Sequence, residues 1–443
     1  MSTMQYKFNG GVHPFTFKSL ASDRPIKKPF IPKKVVLPLL QHTGSPAEPV
    51  VAVGDTVKAG DLIAKPSGYI SSAVHASVSG KVARMAYFST YNQPRVLSVV
   101  IETDADAEQD FRMKPAGDPD TLSREEMIGR IRAAGVVGLG GAGFPTDVKL
   151  SPPANKPVDT VILNGAECEP YLTCDHRLML EKTKEILKGL DIIVRILGAK
   201  QAYIAIENNK LSAIYAMEKA LKQYSFRSLK TAKVISLNEK YPQGAEKQII
   251  KVILNRVVPA GGLPMDVGCV ANNVGTAYAV YEAVYFNKPL IERAITITGK
   301  CVKDPLNIWV RMGTLLSDLK GVFGGFTAEP GKVIMGGPMM GIAQYSMDVP
   351  ISKGVGGIVF LTQEEIDPGR ESVCIRCGRC MDACPIGLVP TTLMYRVKKE
   401  NFSEAKELGI MNCYECGACA YTCPAKIPLV DYMKFGKARN QVI

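Results

Sequence analysis

The chain has 443 residues, of which 46% are hydrophobic and 22% are charged, as in ordinary globular proteins. Its apolar runs, such as 35–40 and 356–361, are much shorter than the roughly 18 to 20 residues of a membrane-spanning helix, and the first residues lack the apolar stretch of a secretion signal. We therefore expect roughly two to four domains in a soluble or peripheral cytoplasmic protein, whose 12 cysteines do not form disulfides.

The net charge of +12 has two interpretations. It is typical of a well-solvated surface, and it also fits a basic face for an anionic membrane, a nucleic acid or an acidic partner. Part of the excess lies in residues 18–34, where three prolines predict an extended arm. The sequence contains no zinc finger, RNA-binding motif or basic helix with interleaved aromatic residues, so nucleic acid is the least favoured partner.

Residues 50–63 contain two Gly-Asp turns between short β-type runs. Together with residues 75–82 they resemble the hammerhead of a lipoyl or biotinyl domain. The lysine that such domains modify is missing from the hairpin tip at 67–74. We therefore predict a scaffold there and not a carrier of a covalent group.

Residues 138–143 read GLGGAG and match the fingerprint G-x-G-x-x-G of dinucleotide-binding folds. That fingerprint requires a strand before it and a helix after it. Here a helix is predicted over 123–134, on a capping box of Ser123 and Glu126, and Pro145 disfavours a helix at Phe144. The glycines therefore predict a loop that closely approaches a ligand without forming a Rossmann turn.

Strands are predicted at 158–163, 201–207 and 232–237, each followed by a helix, which indicates a largely parallel sheet. Ligands bind beyond the carboxyl ends of such strands. The polar residues expected there are Asn164, Glu167, Glu169, Glu207, Asn208 and Asn238, followed by the loop to Gly244. Asn272, Asn273 and Thr276 are predicted at the start of a further helix, where free N–H groups suit a phosphate. Each feature alone is typical of a turn or a cap, but their convergence favours a phosphate-bearing cofactor.

Residues 295–325 have a strand–strand–helix order that resembles a β-grasp ligand-binding module, in which Trp309 is expected to pack. Four cysteines lack any ligand spacing and are expected in the core, and the four histidines are scattered, so that they indicate neither a catalytic triad nor a metal site. These residues are Cys168, Cys174, Cys269 and Cys301, and His13, His42, His75 and His176.

Eight cysteines lie near the C-terminus in two runs with the spacing C-x2-C-x2-C-x3-C, each followed by proline. This is the motif of bacterial ferredoxins with [4Fe–4S] clusters, whereas zinc seldom uses four cysteines at this spacing. In two-cluster ferredoxins the fourth cysteine of each run binds the other cluster. One predicted ligand set is therefore Cys374, Cys377, Cys380 and Cys423, and the other is Cys384, Cys413, Cys416 and Cys419. The connection at 389–412 is predicted to be helical, with Leu393, Val397 and Leu408 as packing residues.

The segments 138–149, 164–170, 241–247 and 272–276 occur in this order in the flavin subunit of respiratory complex I. With the hammerhead, the β-grasp module and the double ferredoxin run, nearly the whole chain resembles the C subunits of Rnf electron-transport complexes. The related sodium-pumping quinone reductases lack the eight cluster cysteines. The fold class implied is multidomain α/β and α+β, with the hammerhead at 1–115, an FMN/NAD-binding domain at 116–290, the β-grasp module at 291–365 and a helical two-[4Fe–4S] domain at 366–443.

The resemblance implies residues for an FMN site: the loop glycines, a strand end beside the isoalloxazine ring, a pocket wall and a phosphate site. They are Gly138, Gly140, Gly141 and Gly143; Asn164 and Glu167; Gly244 and Glu246; and Asn272, Asn273 and Thr276. It further implies that Phe144 stacks on the nicotinamide nucleotide and that Lys149 and Glu169 contact flavin and NAD. Complex I has additional acids where this chain has Ala166 and Ala245, a difference that bears on the NAD contacts and the flavin potential.

The function that the resemblance implies is that of a peripheral NAD(H)-reacting subunit at the cytoplasmic face of the inner membrane. Such a subunit works with the other Rnf subunits, which pass electrons from ferredoxin to NAD+ and translocate ions, and its FMN converts between hydride and single-electron transfer. Two alternatives remain. One is a non-catalytic iron–sulfur relay scaffold, which the intact glycine loop and the 272–276 segment oppose. The other is the flavin subunit of a soluble NADH-dependent hydrogenase or dehydrogenase, which the hammerhead and the lack of a thioredoxin-like two-iron module disfavour.

Overall fold

The computed structural model describes residues 8–366 and 369–442, with side chains as far as Asn440. Residues 1–7 of the first predicted domain, and residues 367–368 and 443 of the last, lie outside the described residues. Within the described part, no helix is long and apolar enough to cross a membrane.

The basic segment 18–34 is extended, but it is not a free arm. After a short 3₁₀ helix at Lys18–Leu20 it forms strand β1 (Ile26–Phe30), which pairs in parallel with a strand at Leu306–Arg311. β1 is the edge strand of that sheet, and an edge is where its Pro29 is tolerated, because proline cannot donate a ladder hydrogen bond. The segment therefore ties the N-terminus to a module that is distant in the sequence.

Two small antiparallel sheets follow, with the strand orders β2-β8-β7-β4 and β3-β5-β6. The long strands β2 and β8 are buried on both faces: Val35, Val99 and Ile101 belong to the main core, and Val36 and Val100 pack in a smaller cluster. The strands are β2 (Lys34–Pro38), β3 (Glu48–Pro49), β4 (Thr56–Val57), β5 (Leu62–Lys65), β6 (Val74–His75), β7 (Gly80–Phe88) and β8 (Val96–Thr103).

The central region is a parallel four-stranded sheet with the order β11-β10-β9-β12 and helices packed against it, which confirms the predicted strand–helix alternation. Its elements are α1 (Arg124–Ala133), α2 (Thr146–Lys149), β9 (Thr160–Gly165), α3 (Cys174–Glu181), α4 (Thr183–Leu197), β10 (Gln201–Glu207), α5 (Leu211–Gln223), β11 (Lys233–Leu237), α6 (Glu246–Leu254), β12 (Cys269–Asn273) and α7 (Val274–Phe286). The capping box of Ser123 and Glu126 is present at α1.

Two elements of this region differ from the prediction. The single helix predicted to follow the strand at 158–163 is two helices, because Lys182 leaves the helical conformation between α3 and α4. β12 was not predicted, and Asn272 therefore lies in a strand, while Asn273 caps α7. Because β12 pairs with β9, both asparagines lie at the carboxyl edge of the sheet.

The next module contributes five strands to a six-stranded sheet of order β1-β14-β13-β17-β15-β16. The predicted helix is only a 3₁₀ turn at Leu316–Leu319. Trp309, expected to pack in its own module, packs against the main core, where its ring lies 5.5 Å from that of Tyr278 in α7 at a tilt of 41°. The strands are β13 (Glu292–Thr298), β14 (Leu306–Arg311), β15 (Lys332–Met335), β16 (Ile342–Gln344) and β17 (Gly357–Leu361).

The C-terminal module is helical, as predicted. Leu393, Val397 and Met433 form its core, whereas Leu408 is 44% exposed and was wrongly expected to pack. The helices are α8 (Arg379–Asp382), α9 (Pro390–Lys398), α10 (Phe402–Glu407), α11 (Ala418–Tyr421) and α12 (Leu429–Val442).

Candidate functional site

The glycine loop at 138–143 folds back on the start of α7. The Gly138 amide donates to the Phe144 carbonyl at 2.9 Å, and the Leu139 amide donates to Thr276 Oγ1 at 2.9 Å. A Cβ on Gly140 would lie 2.9 Å from the Asn273 side chain, so only glycine permits this approach. No strand precedes the loop, since Val137 forms only an isolated bridge with Pro145, and this confirms that the loop is not a Rossmann turn.

Buried cations from the β13–β17 module hold the stem of this loop. Arg293 Nη2 donates to the Leu139 carbonyl at 3.1 Å. Lys353 Nζ donates to the carbonyls of Gly135 and Ala73, each at 2.7 Å, and thereby joins three modules. Burial lowers the pKa of Lys353 to about 7. Sequence reasoning missed both residues, because nothing local marks a lysine or arginine as buried beside a distant carbonyl.

Amide side chains line the carboxyl edge of the sheet. Asn164 Nδ2 donates to the Gly244 carbonyl at 2.8 Å, and its Oδ1 accepts from the Ala166 amide at 3.1 Å. Asn272 Nδ2 and both polar atoms of the Gln243 side chain are buried and have no partner among the described residues. Buried amides normally have partners, so these free groups beside a glycine loop fit a polar, phosphate-bearing cofactor such as FMN.

Asn273, predicted to hold phosphate, is a helix cap in this structure. Its Oδ1 accepts from the Gly275 amide at 2.8 Å and its Nδ2 donates to Asp175 Oδ2 at 2.6 Å. The Thr276 hydroxyl already accepts from Leu139. Both side chains therefore shape the loop against α7.

Glu167 lies in a left-handed conformation (φ 48°) between β9 and α3. Its carboxylate accepts from the amides of Asp175 at 2.7 Å and His176 at 3.2 Å, and burial raises its pKa to about 7. The segment 167–172 is held by Lys18, whose Nζ donates to the carbonyls of Glu167, Glu169 and Leu172 at 2.9, 2.8 and 2.6 Å. Lys18 is thus a structural cation, which the charge pattern of the arm did not reveal.

Two further predicted residues face different neighbours. The Glu169 carboxylate accepts from the amides of Met339 at 3.1 Å and Met340 at 2.8 Å, and burial raises its pKa to about 7. Lys149 Nζ pairs with Glu246 Oε1 at 2.5 Å in a partly exposed position. The predicted contacts of Glu169, Lys149 and the half-buried Phe144 with nucleotide stay predictions.

A cavity in the C-terminal module brings together four of the predicted cluster ligands. Its lining includes Cys384, Cys413, Cys416 and Cys419. Burial raises the pKa of the Cys416 thiol to about 11 and that of Cys419 to about 12, so these thiols need the positive charge of iron to become thiolates. Four thiols around one cavity fit an iron–sulfur cluster.

The remaining four cysteines of the motif are Cys374, Cys377, Cys380 and Cys423. The end of the second run lies beside the start of the first, since the Ser372 amide donates to the Ala425 carbonyl at 2.9 Å and Cys423 packs against the same core as Cys380. Burial raises the pKa of Cys380. Cys374 is half-buried and Cys377 is exposed. These contacts and the lining of the cavity are compatible with the crossed ligand sets of the two-cluster ferredoxin motif, which stay a prediction.

The cavity lined by Cys384 and Cys416 lies directly against the loop that follows β11. The Tyr241 hydroxyl donates to the Cys416 carbonyl at 2.7 Å, and Gln248 Nε2 donates to the Pro385 carbonyl at 2.5 Å. Gly244, which accepts from Asn164, lies between these two contacts in the chain. The flavin-type site and the second cysteine run are therefore neighbours.

Four family models match the chain in order. They are the RnfC barrel sandwich hybrid domain at residues 6–106, the Nuo51 FMN-binding domain at 131–282, the SLBB domain at 294–343 and the 4Fe-4S dicluster domain at 373–427.

Two curated proteins are similar over the whole length. The C subunit of the proton-translocating ferredoxin:NAD(+) oxidoreductase complex of Clostridium ljungdahlii is 47% identical over 439 residues, which are 99% of this chain and 95% of that protein. The C subunit of the Na(+)-translocating ferredoxin:NAD(+) oxidoreductase complex of Acetobacterium woodii is 42% identical over 437 residues, 99% of this chain and 98% of that protein. The structure of an NAD+-reducing [NiFe]-hydrogenase superposes with a TM-score of 0.51 at 16% identity, covers 74% of this chain and 63% of that one, and shows a shared fold alone.

Proposed function

The chain belongs to the family of Rnf-complex C subunits, and from this premise we propose that it is the NAD(H)-reacting flavo-iron–sulfur subunit of a membrane complex that couples electron transfer from reduced ferredoxin to NAD+ with ion translocation. Its cofactors are FMN and two [4Fe–4S] clusters, and NAD(H) is its substrate. The observation that carries the proposal is the contact of Tyr241 and Gln248, beside the flavin-type site, with the cluster cysteine loops.

The glycine loop and the carboxyl edge of the sheet would hold FMN. Gly141 leaves room for it, since a Cβ there would meet no described atom within 4 Å, whereas Gly140 lets the loop lie close against Asn273. The unpartnered amides of Asn272 and Gln243 supply its polar contacts. The other residues assigned to this site are Gly138, Gly143, Asn164, Glu167, Gly244, Glu246, Asn273 and Thr276.

FMN, when bound, exchanges a hydride with NAD(H) and single electrons with iron–sulfur clusters. The chain itself supplies position and dielectric environment. The Leu139–Thr276 and Leu139–Arg293 hydrogen bonds fix the loop, and Asn164 fixes the opposite wall through Gly244. Phe144, Lys149 and Glu169 are the proposed nucleotide contacts, and the half-buried Phe144 offers a stacking face.

The cluster ligand sets are Cys374, Cys377, Cys380 and Cys423 for one cluster and Cys384, Cys413, Cys416 and Cys419 for the other, supported by the cavity and by the proximity of Cys380 to Cys423. We assign the domains to 1–115, 116–290, 291–365 and 366–443, with a hammerhead in the first and a β-grasp in the third; every family match falls inside one of them. We further propose that the protein is peripheral, at the cytoplasmic face of the membrane, in contact with the other Rnf subunits and with ferredoxin only indirectly.

The direct test is to purify the protein without oxygen, count iron and released flavin per chain, and add NADH before denaturation. About eight irons and one FMN that NADH bleaches is the expected result. Eight irons with no flavin, even after FMN is added, would leave only a relay scaffold and contradict the site.

A further inference from the structure

The two cysteine runs form the same turn twice. Gly378 (φ 77°, ψ −12°) and Gly417 (φ 82°, ψ −11°) have nearly identical backbone angles. The residues two positions earlier, Arg376 (φ 56°) and Glu415 (φ 58°), are both left-handed, and each turn leads into a four-residue helix, α8 or α11. Differences between the turns therefore arise from their side chains and surroundings.

The turn of the second run is covered by the rest of the chain. The Cys416 carbonyl accepts from Tyr241, and a Cβ on Gly417 would lie 2.8 Å from the Met339 carbonyl oxygen. Ala418 is fully buried. This turn has an electron-transfer neighbour within the same chain, the flavin-type site.

The equivalent turn of the first run faces solvent. A Cβ on Gly378 would meet no described atom within 4 Å. Cys377 is exposed, whereas the other seven cluster cysteines are buried or half-buried. Around it lie Val373, Ile375 and Met381, which are 84%, 68% and 46% exposed. Exposed apolar side chains clustered around a cluster ligand are typical of an interface.

The same turn is basic. Arg376 and Arg379 occupy the positions of Glu415 and Ala418 in the covered turn, and both are exposed without an ion pair among the described residues. Arg370 lies exposed on the segment that leads into the turn. An arginine rim around an apolar centre fits an acidic protein surface.

Two acids accompany these arginines. Glu371 is neutralised by Lys398, whose Nζ lies 2.5 Å from its carboxylate, and Asp382 is exposed at the end of α8. The patch defined by residues 373–381 thus keeps its positive charge.

We propose that residues 373–381 are the docking surface of an acidic protein module that carries a one-electron iron–sulfur centre. The proposal rests on the proposed function, because it takes the flavin site as the other end of the electron path. The reduced carrier loses one electron, and the cluster held by Cys374, Cys377, Cys380 and Cys423 gains it; no bond or proton is transferred. The covered turn passes electrons inside the chain, and the exposed turn receives them from outside.

The test uses the holoprotein and, as a stand-in for the acidic iron–sulfur module, an acidic two-[4Fe–4S] ferredoxin that is reduced beforehand. Stopped-flow absorbance gives the rate of electron transfer into the protein at low and high salt. The variant is Arg376→Glu with Arg379→Glu. The matched control is Lys27→Glu with Lys28→Glu, which changes the net charge equally on the exposed residues of β1.

The expected result is a rate at least roughly tenfold lower for the arginine variant at low salt, with the difference fading at high salt because exposed charges are screened. Ile375→Ser should slow the rate roughly threefold at both salt concentrations, since it removes apolar contact. Iron content, cluster spectra and flavin bleaching by NADH should match the wild type in every variant.

A wild-type rate in the arginine variant, or an equal loss in the lysine control, would overturn the proposal. If the glutamates impair cluster loading, the pair Arg376→Gln and Arg379→Gln replaces them and should give an intermediate loss. If NADH fails to bleach the flavin of the wild type, the proposed function is contradicted. This bleaching is measured separately from the rate of electron transfer from ferredoxin, so the two failures can be distinguished.

Discussion

The covered turn at 413–419 and the exposed turn at 374–380 share spacing and backbone but not surroundings. Their cysteines and glycines are the same, whereas Glu415 and Ala418 of one turn correspond to Arg376 and Arg379 of the other. The cysteines specify the cluster, because its geometry demands them. The residues between the cysteines specify what lies next to the cluster. The small Ala418 lets a neighbouring module pack on the second turn, whereas Arg376 and Arg379 keep the first turn in solvent.

The largest difference in stability between the two turns is expected when Gly378 or Gly417 is replaced by alanine. Both glycines have positive φ, so each alanine costs about 1 kcal/mol in backbone strain. At Gly417 the new Cβ also meets the Met339 carbonyl at 2.8 Å, which raises the total cost to about 2 to 4 kcal/mol. Denaturant midpoints measured without oxygen should therefore fall further for Gly417→Ala than for Gly378→Ala. Equal midpoints would mean that the second turn is not covered as described.

A buried lysine, Lys353, joins three modules of the chain through its bonds to the Gly135 and Ala73 carbonyls. Lys353 has a folded-state pKa of about 7 and an unfolded value near 10.5, so the unfolded chain holds more protons between these values. The free energy of unfolding should accordingly rise by about 2 kcal/mol between pH 7 and 9 through this group. Lys353→Met should remove this rise in denaturant midpoints, whereas the exposed control Lys28→Met should keep it. A pH profile of Lys353→Met that matches the wild type would contradict the buried position.

The smallest effect is expected from the hydroxyl that joins the flavin-site loop to the second run. Tyr241→Phe leaves the buried Cys416 carbonyl without its donor and should cost about 1 to 2 kcal/mol. Tyr432→Phe removes an exposed contact with Glu371 at 3.4 Å and should cost less than about 0.5 kcal/mol. Thermal unfolding of both variants measures the difference, and similar losses would argue against a specific junction at Tyr241.

Local signals predicted the elements that local sequence determines. The capping box of α1 and the strand at 201–207 were predicted because their residues interact with near neighbours, and the rejected Rossmann turn followed from Pro145. β12 was missed because asparagines such as Asn272 and Asn273 are rare in strands. Here the pairing with β9, which is distant in the sequence, holds them in a strand.

Long-range contacts were not predictable from the sequence. Lys18, Arg293 and Lys353 look like surface charges in the sequence, yet each donates to carbonyls of a distant segment. Arg293 and Lys353 are buried there, and Lys18 is half-buried. Trp309 packs on α7 for the same reason, since its partner belongs to another module. The site is thus predictable in its glycines and cysteines, whose chemistry is local, and not in the cations that hold it.

The order of the electron path is the central claim, and paired cysteine variants test it most directly. Cys377→Ala and Cys416→Ala should each lose one cluster, leaving about four irons. After NADH is added without oxygen, electron paramagnetic resonance should show the remaining cluster reduced at the wild-type rate in Cys377→Ala. In Cys416→Ala the flavin should bleach while the remaining cluster stays oxidised. Rapid cluster reduction in Cys416→Ala and none in Cys377→Ala would contradict the account.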